Sequence, residues 1–146
     1  MIALVQRVTS ATVSVKEQNI ARIDRGILAL IGIEVNDTPA HADRLLHRLL
    51  GYRIFEDANE KMNLSLDSID GGLLLVPQFT LTANTTKGMR PSFSNAASPV
   101  VAEGLFDYLC LAAKQQYQRV GTGQFSADMQ VSLVNDGPAT FWLQVP

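Results

Sequence analysis

The chain has 146 residues, 47% of them apolar, with a net charge of −2 and a sequence pI of about 5.6. That length and composition suit one domain over residues 1–146 with a core of its own, and exclude a disordered or fibrous chain. No run approaches the roughly 18 apolar residues of a membrane span, the start lacks a basic segment followed by an apolar block, and the acidic balance excludes a globally basic nucleic-acid binder, so that any such contact must be local.

Residues 2–9 and 11–15 read as two strands, with Val13 and Val15 alternating against Thr12 and Ser14. Residues 20–23 suggest a short third. Gly26 then introduces ILALIGIE, a near-continuous apolar run that suits a strand covered on both faces. Thr38-Pro39 opens a helix, with a capping hydroxyl followed by proline at the first helical position. Ala42, Leu45, Leu46, Leu49 and Leu50 follow at helical spacing, and Gly51 is the stop. Residues 52–55 resume extended structure, Asp57 to Glu60 form a turn, and GLLLVPQFTL, from Gly72 to Leu81, is a second central strand interrupted by Pro77.

From Thr82 to Ser98 runs a polar stretch with neither helical nor alternating period. Loops of this length inside a small domain are uncommon and often functional. Ser98-Pro99 opens a second helix, predicted to reach about Val120, with Val101, Leu105, Tyr108, Leu109 and Ala112 on its apolar face and Gly121 and Gly123 beyond it. Met129–Leu133 and Ala139–Val145 are the last strands. Between them Asn135-Asp136-Gly137-Pro138 has the chemistry of a hairpin turn. The order implies a mixed α/β domain of layered type, with two main helices covering the strands.

The usual catalytic tools are missing. His41 and His47, six residues apart, fall on the polar side of the first helix and are no metal pair. The single cysteine, Cys110, reads as a buried structural thiol and agrees with a reducing cytoplasm. There is no nucleophile elbow, phosphate loop, dinucleotide fingerprint or zinc cluster. What remains is a distribution of charge: the 32 residues from Gly71 to Ala102 contain no carboxylate, while Lys87 and Arg90 supply two positive charges. With Gln78, Thr80 and Asn84 nearby this reads either as an anion-facing loop or as a polar surface loop without acids.

LLLVPQFTL, TKGMRPSFS, ADMQVSL and the terminal NDGPATFWLQV, together with MIALVQRV at the start and GYRIF and KMNL in the middle, resemble the D-aminoacyl-tRNA deacylase family. Several separated motifs in the right order, from Met1 to the C-terminus, carry that resemblance. It implies a cytoplasmic editing hydrolase with mixed β-sheets in a partial barrel. Its substrates would be D-aminoacyl-tRNA and glycyl-tRNA(Ala), gripped at the acceptor end, with no metal or other cofactor and no membrane or DNA partner. It further implies a homodimer with active sites at the subunit interface. Gly137 and Pro138, joined by a cis bond and held by Arg7, would enter the partner's pocket and exclude L-amino acids. Gln78, Phe79 and Thr80 match the motif lining that pocket, Lys87 and Arg90 are the candidates for tRNA contact, and the terminal 2′-hydroxyl of the tRNA would assist the chemistry.

Two departures stand out. The family motif begins with serine where this chain has Pro77, which has neither hydroxyl nor N–H, and Ala139 replaces the usual valine beside the filter. A related animal tRNA deacylase also has proline before the glutamine and has a relaxed chiral filter. Against the editing enzyme stands a non-catalytic dimeric module that binds an RNA end or small ligand on the same scaffold.

Overall fold

In the computed structural model, which describes residues 1–146, the two long apolar runs lie side by side. Strands β3 (Gly26–Gly32) and β6 (Gly72–Pro77) pair in parallel, in register from Gly26↔Gly72 to Ile31↔Pro77. Successive side chains leave opposite faces. Ile27, Ala29, Ile31, Leu73 and Leu75 therefore enter one core, and Leu28, Leu74 and Val76 enter another. This double burial is why both runs lack polar alternation.

The first core lies under helices α1 (Pro39–Gly51) and α2 (Pro99–Gln116). α1 buries the expected Ala42, Leu45, Leu46 and Leu49. His41 is not idle at its surface: Nδ1 accepts the Thr38 backbone N–H at 3.0 Å, the part a glutamate usually plays in a capping box, whereas His47 is exposed. α2 buries Ala102, Leu105, Phe106, Leu109, Cys110, Ala112 and Ala113. Val101 and Tyr108, expected on that face, are 47% and 39% exposed. Each lies one residue, about 100° of helix, away from the buried stripe, and the Tyr108 hydroxyl instead donates to Asp43 of α1 at 3.0 Å.

α2 stops at Gln116 rather than near Val120. The Tyr117 hydroxyl donates to the Gly71 carbonyl, and Val120–Thr122 then forms β7, parallel to β6 from Leu73↔Val120 to Leu75↔Thr122. Residues read as the end of a helix thus form a strand. β4 (Phe55–Glu56) and β5 (Met62–Leu64) make a separate two-stranded ribbon around the expected turn, where the Asp57 carboxylate accepts the N–H groups of Asn59 and Lys61 at 2.8 and 3.1 Å.

β1 (Ile2–Val15) is one strand, not two. Its first half pairs with β3, from Ile2↔Gly32 to Val8↔Gly26, and its second half with β2 (Gln18–Ile23), from Ala11↔Ile23 to Val15↔Gln18. Along its other edge runs β8 (Met129–Gln144). The break expected at Ser10 is a β-bulge, a one-residue slip against β8 between Val8 and Ser10. It reverses the side-chain parity, so Ala3 and Val5 face the helices while Ala11 and Val13 line the second core. The sheet curves until β7 meets β2, where a Cβ on Gly121 would lie 3.4 Å from that of Ala21, giving a mixed α/β fold around a nearly closed barrel. The Met1 ammonium ties its rim together, 2.9 Å from Glu34, 2.6 Å from Asp37 and 3.0 Å from the Val145 carbonyl. No helix is long and apolar enough to cross a membrane.

The tightest packing lies where β3 meets β6, since a Cβ on Gly26 would fall 2.0 Å from the Gly72 carbonyl oxygen. Backbone cannot rotate away as a side chain can. Gly26→Ala is expected to destabilise the fold by about 3 kcal/mol, whereas Gly104→Ala, whose Cβ meets nothing within 4 Å on α2, is expected to stabilise it by about 0.5 to 1 kcal/mol. Urea midpoints of the two variants check both signs.

Candidate active site

The segment expected to be a hairpin turn does not reverse the chain. β8 pairs with β1 on both sides of it, from Ile2↔Gln144 to Gln6↔Thr140 and from Val8↔Asn135 to Val15↔Met129. Asp136, Gly137, Pro138 and Ala139 therefore stand as a wide bulge opposite Arg7 alone. Turn-forming residues require the chain to leave the extended conformation, but β1, by pairing on each side, keeps its direction.

Arg7 is only 6% exposed. Its Nε donates to the Asp136 carbonyl at 3.0 Å and its Nη1 to the Ile54 carbonyl at 2.8 Å, so one buried guanidinium spans the bulge and the chain leading into β4. Asn135 closes the base: its Oδ1 accepts the Ala139 N–H at 2.9 Å and its Nδ2 donates to Thr140 Oγ1 at 2.8 Å. Gly137 has φ +130°, and a Cβ there would lie 2.8 Å from Arg7 Nη2. Glycine is required both by backbone conformation and by space. The Gly137–Pro138 bond is cis. Both residues are exposed, while Ala139 beside them is buried.

At the other end of β3 lies a cleft of about 460 Å³, lined by Val76, Pro77, Gln78, Phe79, Pro99, Phe125, Ser126, Ala127, Met129 and Val131. β6 delivers Gln78 to its mouth and then stops, because residues 79–82 form a 3₁₀ turn rather than the expected continuation of the strand. Gln78 N–H donates to the Ile31 carbonyl at 2.7 Å. By the alternation of a parallel ladder the next nitrogen back, that of Pro77, faces β7. There the ladder has already closed with the 2.7 Å bond from Gly123 N–H to Leu75. The next rung would run from residue 77 to the Gly123 carbonyl, so Pro77, with no N–H to give, ends the ladder there, and its ring packs against Gly123, where a Cβ would come within 3.1 Å of Pro77 Cδ.

Within the turn the Gln78 side-chain amide donates to the Thr80 hydroxyl. The buried Thr82 hydroxyl donates to the Phe79 carbonyl at 2.7 Å. The first bond of the turn runs from Leu81 N–H to Gln78 O at 3.2 Å, so the N–H groups of Phe79 and Thr80 come before any partner the turn supplies. Phe79, which its position in an apolar run marks as core, is 58% exposed. Lys87 and Arg90 stand on an exposed loop closed by reciprocal bonds between Asn84 and Ser92, of 2.7 and 3.1 Å, and neither forms an ion pair.

Gln78, Phe79 and Thr80 are thus brought together, as are Arg7, Gly137 and Pro138, but the two groups stay apart. Arg7 pairs with Ile27 and Gln78 bonds to Ile31, which separates them by about 13 Å along the strand. The cleft residues from α2, the β7–β8 connection and the start of β8, Pro99, Phe125 and Met129 among them, escape sequence reasoning because no motif spacing links them to Gln78. A second opening of about 480 Å³ at the N-terminal ends of β3 and β6 is lined largely by charges that pair with one another, Arg119 with Asp70 at 3.0 Å and Arg22 with Asp24 at 3.3 Å. The apolar cleft with its few polar groups is the better ligand site.

The sequence model of the D-Tyr-tRNA(Tyr) deacylase family matches residues 4–144. A D-aminoacyl-tRNA deacylase of Pseudomonas fluorescens (strain Pf0-1) is 58% identical over 144 residues, 99% of each chain. One from Escherichia coli O81 (strain ED1a) is 56% identical over 145 residues, 99% of this chain and 100% of the relative. Among solved structures, a c-Myc DNA unwinding element binding protein superposes with a TM-score of 0.95 at 37% identity, covering 100% of this chain and 99% of its own. A probable eukaryotic D-amino acid tRNA deacylase shares the fold at a TM-score of 0.82 and 18% identity, covering 97% and 98%.

Two groups invite direct measurement. Asn135→Ala leaves the Ala139 N–H without its acceptor and is expected to cost about 1 to 2 kcal/mol, with faster amide exchange at Ala139 and the rest of the sheet unchanged. Desolvation pushes the Cys110 thiol up to about 12. At pH 8 native Cys110 is therefore expected to react with a thiol reagent about a thousandfold more slowly than the urea-unfolded chain.

Proposed function

Since the chain belongs to the D-Tyr-tRNA(Tyr) deacylase family and is an enzyme of that class, we propose that it cleaves D-amino acids, and glycine from glycyl-tRNA(Ala), off the tRNA 3′ end in the cytoplasm while refusing L-amino acids. The observation that carries this reading is the bulge. A Gly-Pro pair is held out into solvent by a buried arginine, about 13 Å along the strand from its own cleft. A second copy of the chain supplies the cleft it serves. β8 agrees with that arrangement, since it pairs only with β1 and leaves its other edge free, flanked by Val134 and Trp142, 56% and 52% exposed. Unpaired edges of this kind invite strand pairing or a covering partner.

In the assembled site the aminoacyl group occupies the cleft and the partner's Gly137 and the partner's Pro138 close its roof. An L-side chain would run into that roof, a D-side chain points away from it, and glycine has nothing to exclude. The ester is already activated, so positioning and charge stabilisation carry the reaction. Water attacks the carbonyl carbon while the N–H groups of Phe79 and Thr80 receive the developing negative charge. The C–O bond to the ribose then breaks as the neighbouring 2′-hydroxyl passes its proton to the departing 3′-oxygen and takes in its place the proton lost by the attacking water, so that the ribose leaves with both hydroxyls intact. Gln78 fixes the Thr80 hydroxyl at the rim. Lys87 and Arg90 meet phosphates of the acceptor end, and two such contacts make the salt dependence shallow.

Incubation with D-Tyr-tRNA and L-Tyr-tRNA tests the reading. Release of D-tyrosine alone is expected, binding without release would favour a non-catalytic module, and equal release would sink the filter. Gly137→Ala, which collides with Arg7, is expected to raise L-aminoacyl hydrolysis relative to D by about tenfold or more. An unchanged ratio of the two kcat/KM values would remove Gly137 from selectivity.

A further inference from the structure

The rings of one aromatic pair beside the cleft have no part in the mechanism above, which uses only the Phe79 backbone N–H. Phe79 and Phe93 lie with ring centroids 5.2 Å apart and planes tilted by 49°. Both are open to solvent, at 58% and 39%. Phe79 lines the cleft, but Phe93 does not; it sits one ring farther out. Apolar burial gives no reason for two phenylalanines to remain exposed together.

The backbone beneath Phe93 is built to hold still. On one side Ser92 exchanges bonds of 2.7 and 3.1 Å with Asn84. On the other the Phe93 carbonyl accepts Ala96 N–H at 3.0 Å, Val35 N–H reaches the Asn95 carbonyl at 3.0 Å, and Ala97 N–H reaches the Ile33 carbonyl at 3.0 Å. Asn84 stiffens the intervening loop through bonds to the Thr86 N–H and hydroxyl at 3.0 and 2.7 Å. That loop carries the unpaired cations Lys87 and Arg90, and the acid-free run from Gly71 to Ala102 surrounds the ring in sequence. Glu34, which bridges to Ala96, is turned towards the Met1 ammonium at 2.9 Å, a charge it shares with Asp37.

An exposed aromatic face on a fixed frame, with two cations on the adjoining loop and no carboxylate in its own stretch of chain, fits a nucleobase of single-stranded RNA. Building on the reading of the cleft as the seat of the aminoacylated nucleotide, we infer that Phe93 is the stacking platform for the unpaired base that precedes it. The terminal nucleotide reaches the cleft past Phe79. Its neighbour, one step back along the chain, meets the next ring out, and its phosphates run towards Lys87 and Arg90. Stacking is sequence-tolerant, since every base offers a π-face. The platform thus grips the end of any tRNA and leaves discrimination to the amino acid pocket.

Phe93→Leu keeps apolar bulk and removes the ring, and Phe93→Trp restores an aromatic face. Steady-state hydrolysis is measured on D-Tyr-tRNA and on D-tyrosyl-adenosine, which lacks the preceding nucleotide. Phe93→Leu is expected to raise KM for the tRNA about tenfold, with kcat within about twofold, to leave D-tyrosyl-adenosine unchanged, and to be rescued by Phe93→Trp. An acceptor-stem RNA with 2-aminopurine at the penultimate position should be quenched by the wild-type protein and not by Phe93→Leu. Equal KM values for the tRNA, an equal effect on D-tyrosyl-adenosine, or a changed sedimentation state in Phe93→Leu would each overturn the platform while leaving the deacylase standing. A wild-type protein inactive on both substrates would overturn the deacylase and the platform with it.

Discussion

The structure hangs on the backbone hydrogen bonding of one strand. β1 meets β3 with its first half and β2 with its second, and β8 along its whole length. A strand shared among three partners must bend, and the slip near Thr9 lets it do so while sending apolar side chains first to one core and then to the other. Without that bulge Ala11 and Val13 would share the face of Ala3 and Val5, and the second core would lose part of one wall. The doubly buried pair β3 and β6 needs both walls, since each strand sends bulky aliphatic side chains to both faces.

The same strand presents the bulge proposed to act as the filter. Arg7 lies where β1 is opposed by four residues instead of one. Burying a guanidinium is costly unless its donors are satisfied. Here two backbone carbonyls receive it, one from the bulge and one from the residue before β4. Arg7 thus makes a rigid projection out of a segment that would otherwise be loose loop. The projection is exposed and stands about 13 Å along the strand from the cleft at the far end of β3, the separation on which the proposed division of the site between two copies rests.

Local chemistry was legible wherever a short-range rule decides it. Both helix starts stand where a hydroxyl residue and a proline announce them, and the apolar stripe of α1 was read residue by residue. The central runs were recognised as covered on both faces from the absence of alternation. Pairing partners were not legible. β7 is three residues, Val120 to Thr122, with no strand pattern of its own; its edge bonds to β6 create it. The division of β1 into two strands and the hairpin assigned to Asn135–Pro138 failed for one reason: a bulge and a turn use the same residues, and only the partner strand tells them apart.

For the site, the residues themselves were visible before their geometry was. Gln78, Phe79, Thr80, Gly137, Pro138 and Arg7 stand out through a resemblance spread along the whole chain, and the acid-free run around Lys87 and Arg90 can be counted directly. The cleft walls from α2 and the β7–β8 connection were not visible, because they meet Gln78 only through folding. By itself the sequence determined residue chemistry, the helix starts marked by a hydroxyl residue and a proline, and the family, since each depends on which residues stand near one another along the chain. Tertiary structure alone decided which strands pair, that the Gly-Pro pair is a bulge braced by Arg7, and that it stands apart from its own cleft. Those depend on hydrogen bonds between residues from tens to more than a hundred positions apart, for which no local pattern can stand in.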